Sequence, residues 1–112
     1  LLDMVGAPNA VFTHEGFSKH FAVSILKKVW RTANKLGYGE YFQYQMTPQI
    51  IDDHYYINNL AHIPTIDIIE HDSEMPSGFN KHWHTHSDNM QNISKKTLGI
   101  VGHTVLDVLY NE

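Results

Sequence analysis

Residues 79–89 read Phe-Asn-Lys-His-Trp-His-Thr-His-Ser-Asp-Asn, with histidines at the alternate positions 82, 84 and 86 and an indole at 83. On an extended backbone alternate side chains share a face, so His82, His84 and His86 would converge while Trp83 pointed away. Neutral imidazole is the commonest metal ligand, and this spacing therefore suggests a zinc or other transition-metal site. The simpler alternative is a polar loop whose histidines bond to solvent and backbone. A second group, Asp52-Asp53-His54, sets two carboxylates beside an imidazole, the parts of a coupled acid/base network. The same aspartates would also cap a short helix, for which one carboxylate is enough. Asp3 lies inside the apolar run 1–5. An unpaired carboxylate is costly to bury, so Asp3 is expected at a strand end, facing polar partners or a metal.

Several elements must position these groups. Residues 1–5 fit a short buried strand closed by the turn-forming Gly6-Ala7-Pro8-Asn9. Over 17–36 the residues Phe17, Phe21, Ala22, Ile25, Leu26, Val29, Trp30, Ala33 and Leu36 recur at three- and four-residue steps, with lysines and an arginine opposite. This predicts an amphipathic helix, capped by Thr13 or Ser18 and closed at Gly37. Residues 37–49 show no sustained period and read as a connection. Residues 55–61 can form two helical turns before Pro64 stops them. The β-branched run 64–69 is a candidate central strand. Ser94 can cap a last helix with Leu98, Val101, Val105, Leu106 and Leu109 on its apolar stripe and His103 off it, in solvent. The order is that of an α/β fold, in which sites gather beyond the carboxyl ends of parallel strands. The histidine-rich loop follows run 64–69 and so falls in that place. Two strands, however, cannot cover three apolar helix faces.

A chain of 112 residues, 42% hydrophobic, is expected to form a single domain over residues 1–112. Eight basic residues against 12 acidic ones leave a net charge of -4, which lacks the basic excess of a nucleic-acid or polybasic membrane surface. Without cysteine there are no disulfides and no thiolate zinc sites, and the compartment stays open. No apolar run approaches the ~20 residues of a membrane span. The opening Leu-Leu-Asp-Met-Val has no initiator methionine, basic region or cleavage site, so it reads as the inside of something larger.

Taken in order, Leu1-Leu2-Asp3-Met4-Val5-Gly6-Ala7-Pro8-Asn9, then Asp52-Asp53-His54, then Phe79 with Trp83-His84-Thr85 and Asp88-Asn89, resemble the carboxyl-terminal half of a zinc-dependent glutaminyl-peptide cyclotransferase. These glutaminyl cyclases share their fold with zinc aminopeptidases of the leucine aminopeptidase type, and the resemblance covers essentially the whole chain. It implies a partial three-layer zinc-exopeptidase-like fold, the carboxyl-terminal part of a larger catalytic domain. It also implies conversion of a peptide's amino-terminal glutamine to pyroglutamate, with release of ammonia.

Residue by residue, the resemblance makes His84 a zinc ligand and leaves His82 and His86 without counterparts. Trp83 and Phe79 become pocket walls. Asp52, with Asp3 as partner, becomes a proton-handling network supported by Asp53 and His54. In the aminopeptidases the position of Asp3 binds a second zinc and a serine commonly stands at that of Asp52, so Asp52 favours the cyclotransferase. The family's other zinc ligands and its general-base glutamate fall upstream of Leu1, so these residues alone should neither hold zinc tightly nor turn over substrate. Zinc, a peptide with amino-terminal glutamine and the amino-terminal remainder of the same enzyme are the implied partners. Enzymes of this kind usually work in exported compartments, which implies a periplasmic or secreted parent. A zinc aminopeptidase is the alternative, and a non-catalytic fragment or binding protein the further one.

Overall fold

In a computed structural model that describes residues 1–111, the long amphipathic segment folds as helix α1 (Gly16–Lys35). Leu26, Val29, Trp30 and Ala33 are buried on its inner face, with Lys27 and Arg31 exposed on the other. Neither Thr13 nor Ser18 caps it. The cap is Glu15, whose carboxylate accepts from the amides of Phe17 and Ser18 at 3.0 and 2.8 Å, while the Ser18 hydroxyl also donates to it. Gly37 follows the helix with φ 91°, a conformation natural to glycine.

Four strands form rather than two. β1 (Leu2–Asp3) runs parallel to β4 (Ile68–Ile69), Leu2 opposite Ile68 and Asp3 opposite Ile69. β2 (Phe12–Glu15) runs parallel to β3 (Phe42–Thr47), Phe12 opposite Phe42 and Glu15 opposite Thr47. An antiparallel bridge between Phe12 and Glu70 joins the pairs, backed by the His71 amide donating to Val11 O at 2.8 Å, so the order is β1-β4-β2-β3. β3 corrects the reading of 37–49 as a connection. Its apolar residues alternate, but Tyr44 and Met46 are exposed and Phe42 alone of the three is buried, so the signal of a half-buried strand is weak. The indole of Trp30 fixes it by donating to Gln43 O at 2.9 Å. The run 64–69 keeps strand pairing only at its end. The Thr65 amide donates to Asn58 Oδ1 and the Asp67 amide to Ser18 Oγ, which takes those groups away from a ladder.

Asp52 caps α2 (Asp53–Tyr56), which widens into a π-helical turn at Ile57–Ala61 and stops at His62, with φ 55°. The last helix, α3 (Lys95–Tyr110), starts at Ser94, whose hydroxyl accepts from the Thr97 amide at 3.2 Å. Its inward face is Thr97, Ile100, Val101 and Thr104 rather than the leucine stripe; Leu98, Leu106 and Leu109 are exposed. The two threonines can be buried because their hydroxyls donate to Ala7 O and Ile100 O. His103 is exposed but bonds to the Tyr38 hydroxyl at 2.7 Å. The core packs α1 and α3 against Phe12, Phe42 and Ile68, with the Phe12 and Trp30 rings each 5.1 Å from that of Phe42.

Candidate active site

Asp3 ends β1, and Met4 turns the chain aside with φ 53°. Asp52 stands at the start of α2, its Oδ1 accepting from the Asp53 amide at 2.7 Å. Asp67 precedes β4. The Asp52 carboxyl stands close enough to those of Asp3 and Asp67 for each to alter the other's proton affinity. Two ionised carboxylates are both acceptors, so a hydrogen bond between them requires a proton. Asp52 Oδ2 and both Asp67 oxygens are buried with no hydrogen-bond partner, and a proton shared among the acids would satisfy them.

The environment sorts the three acids. Burial, followed by the neighbouring Asp52, pushes the Asp3 carboxyl above its ordinary value. Burial drives Asp67 up to about 8, against the pull of His54 and with the push of Asp52 and Asp3. Burial also opposes ionisation of Asp52, but the Asp53 amide, the carboxyls of Asp3 and Asp67 and the charge on His54 hold it below its ordinary value. Near neutral pH the group therefore carries a proton while Asp52 stays ionised.

Behind it lie two residues buried completely. His54 Nε2 is 2.8 Å from Glu15 Oε1, and its Nδ1 is 3.6 Å from Asp67 Oδ2, beyond hydrogen-bond length. Burial alone would lower the imidazole, but the hydrogen bond and charge of Glu15, then Asp67 and Asp52, raise it. Burial would likewise raise Glu15, yet His54 and the amides of Ile50, Phe17 and Ser18 hold it at about 2. Glu15 is thus held ionised, and its charge favours the protonated form of His54. Sequence reasoning named His54 and missed Glu15 and Asp67. The available signal was a carboxylate interrupting a β-branched run, the feature that singled out Asp3. Asp53 is exposed and lends the group its amide.

The loop residues form one stack. The Phe79 and Trp83 rings are 4.6 Å apart, and Trp83 and His84 lie 3.9 Å apart at 21°. The backbone is a chain of turns, with amide-to-carbonyl bonds from Trp83 to Asn80, Thr85 to His82 and Asp88 to Thr85. Turns overturn the expectation of a shared three-histidine face. His82 bends inward to Ser87 Oγ at 2.8 Å, whereas His84 and His86 are exposed and His84 has φ 57°. Among the described residues no group of three or more His, Cys, Asp or Glu is placed to hold a metal. A zinc site takes three or four protein ligands, so His84 by itself does not make one.

A cavity of about 250 Å³ at the carboxyl ends of β1 and β4 connects the two regions, with Asp3, Glu70, Asn80, Trp83 and Asp88 among its lining residues.

The profile of peptidase family M28 matches residues 1–109. The chain belongs to peptidase family M28. Among solved structures it is similar to a glutaminyl cyclase of Tannerella forsythia, at TM-score 0.98 and 46% identity over 100% of this chain and 38% of that one. A glutaminyl cyclase of Bacteroides thetaiotaomicron bound to N-acetylhistamine gives 0.96 and 55% over the same shares, 100% and 38%. A Zn-dependent exopeptidase from Parabacteroides distasonis gives 0.97 and 48%, again over 100% and 38%. No curated protein matches. The chain thus spans 38% of the length of these M28-type relatives and has the fold of their carboxyl-terminal part. Family membership and the exopeptidase neighbour imply zinc.

Proposed function

We propose that this M28 chain is the carboxyl-terminal part of a glutaminyl-peptide cyclotransferase. The observation that carries the reading is the grouping of Asp52 with Asp3 and Asp67, in which Asp52 Oδ2 and both Asp67 oxygens are buried with no hydrogen-bond partner. A two-zinc aminopeptidase would use the Asp3 position as a metal ligand. An acid engaged with Asp52 through a shared proton is poorly suited to that, and well suited to passing protons.

Cyclisation needs such a group. The α-amine of an amino-terminal glutamine attacks its own γ-carboxamide carbon, the C–N bond to the amide nitrogen breaks, and a proton must leave the amine while one reaches the departing ammonia. Asp52, ionised, would accept and Asp67, protonated, would resupply, with Asp3 between the group and the cavity. Ring closure is intramolecular, so positioning supplies much of the rate. The Phe79-Trp83 stack would wall the substrate and keep water from hydrolysing the carboxamide instead. Zinc, when bound, would polarise the carbonyl, and His84 would be this chain's contribution to holding it.

The test is an assay of the intact protein on glutaminyl and leucyl peptides, with metal counting. Pyroglutamate formation with a single zinc is expected, and Asp52→Asn should lower kcat by about 10²–10⁴-fold. Leucine release with two zincs would replace this reading by the aminopeptidase.

A further inference from the structure

The Glu15–His54 pair is a buried arrangement of two titratable groups to which the proton-handling reading gives no step of its own. Both side chains are 0% exposed, and neither lines the cavity at Trp83. Desolvating a buried ion pair offsets much of its attraction, so stability alone is a poor explanation for one. Its geometry points elsewhere. Glu15 is saturated, accepting from the amides of Phe17, Ser18 and Ile50, from the Ser18 hydroxyl and from His54. His54 spends Nε2 on Glu15 and presents Nδ1, which has no hydrogen-bond partner, toward Asp67 Oδ2 at 3.6 Å. The Ser18 hydroxyl ties both ends of the row, donating to Glu15 and accepting from the Asp67 amide at 2.9 Å.

We propose that Glu15–His54 is a positioning element, a fixed buried counter-charge that limits how many protons the Asp3–Asp52–Asp67 group takes up and so keeps Asp52 available as its acceptor. The proposal rests on the catalytic reading of that group. Burial and mutual repulsion favour protonation of these carboxyls, and the charge on His54 opposes it at Asp52 alongside the Asp53 amide. Glu15 is what keeps the imidazole charged. The groups facing His54 are Glu15, Asp67 and Asp52, with the Phe17 ring 6.4 Å away on another side. Asp3 acts on it only through Asp52 and Asp67.

His54→Gln is the cleaner variant, since its amide still donates to Glu15 without charge, whereas Glu15→Gln also weakens the α1 cap. Nitrogen-15 spectra of the histidine side chains in the intact protein, with H54Q assigning the signal, are expected to show both His54 nitrogens protonated at neutral pH. Kinetics use whichever peptide the protein turns over. Losing the positive charge raises the pH needed to ionise Asp52, so the acid limb of kcat should move up by about one pH unit, kcat fall about tenfold and KM change less than about twofold. A neutral His54 in the wild type, or a folded H54Q with unchanged kcat and acid limb, overturns the proposal. The spectra need no substrate, so absence of cyclisation would strike the function reading and leave the charge of His54 decided independently.

Discussion

Glu15, His54 and Asp67 are completely buried and come from the end of β2, from α2 and from the approach to β4, whereas Phe79, Trp83 and His84 ride a loop fixed by its own turns. The two regions solve different problems. Proton affinity depends on desolvation and on neighbouring charge, so a proton-sharing group needs the rigid surroundings that only several packed elements provide. A metal ligand needs aim and access, which a loop can give. Among the described residues the first region gathers four acids and an imidazole from separate elements, Asp3, Glu15, Asp52, Asp67 and His54; the second offers exposed imidazoles and a ring stack.

His84→Ala is the strongest way to break the comparison. In the intact protein it should abolish tight zinc binding and lower turnover by about 10³-fold or more, with the melting temperature of the metal-free form unchanged. Retained zinc by elemental analysis would remove the loop from the metal site altogether. Asp67→Asn probes the buried side through stability. Because folding raises this carboxyl from 3.8 to about 8, its contribution is fully present below the lower value and is lost as pH rises toward the upper one. Asparagine has no such loss. The variant should therefore gain roughly 1–4 kcal/mol over wild type near pH 8 and little near pH 4, measured by urea unfolding at both. Equal differences at the two pH values would mean that Asp67 is not desolvated as its surroundings suggest. The smallest effect is expected for Trp83→Ala. The indole is 38% exposed, so stability should change by less than about 1 kcal/mol while KM rises about tenfold. Substantial unfolding would make the stack structural.

Long helices were legible because a 3.6-residue period sustained over α1 outlasts local exceptions, and Ser94 announced α3 through its capping chemistry. β2 was not, since all four of its residues are buried and three are polar, two of them satisfied by partners far along the chain: Thr13 by Thr47 and Glu15 by His54. The α3 stripe misled for a related reason, because Thr97 and Thr104 carry their own hydrogen bonds inward. At the site, Asp3 stood out as a carboxylate in an apolar run and Asp52 as one of a carboxylate pair beside an imidazole, while their partnership came from the resemblance; the fold brings them near one another. Glu15 and Asp67 acquire meaning only from packing against His54. The alternation of His82, His84 and His86 predicted a common face on the premise of an extended backbone, and successive turns removed the premise.

Left-handed backbone at His84 and Met4 costs about 1–2 kcal/mol each, an expense that glycine at either position would avoid. Anyone engineering this protein for heat resistance would find position 84 an inviting target, since a glycine there should be more comfortable than the histidine. The same change would delete the one metal-facing imidazole proposed here. Selecting for thermal stability and selecting for retained zinc should thus pull this position in opposite directions.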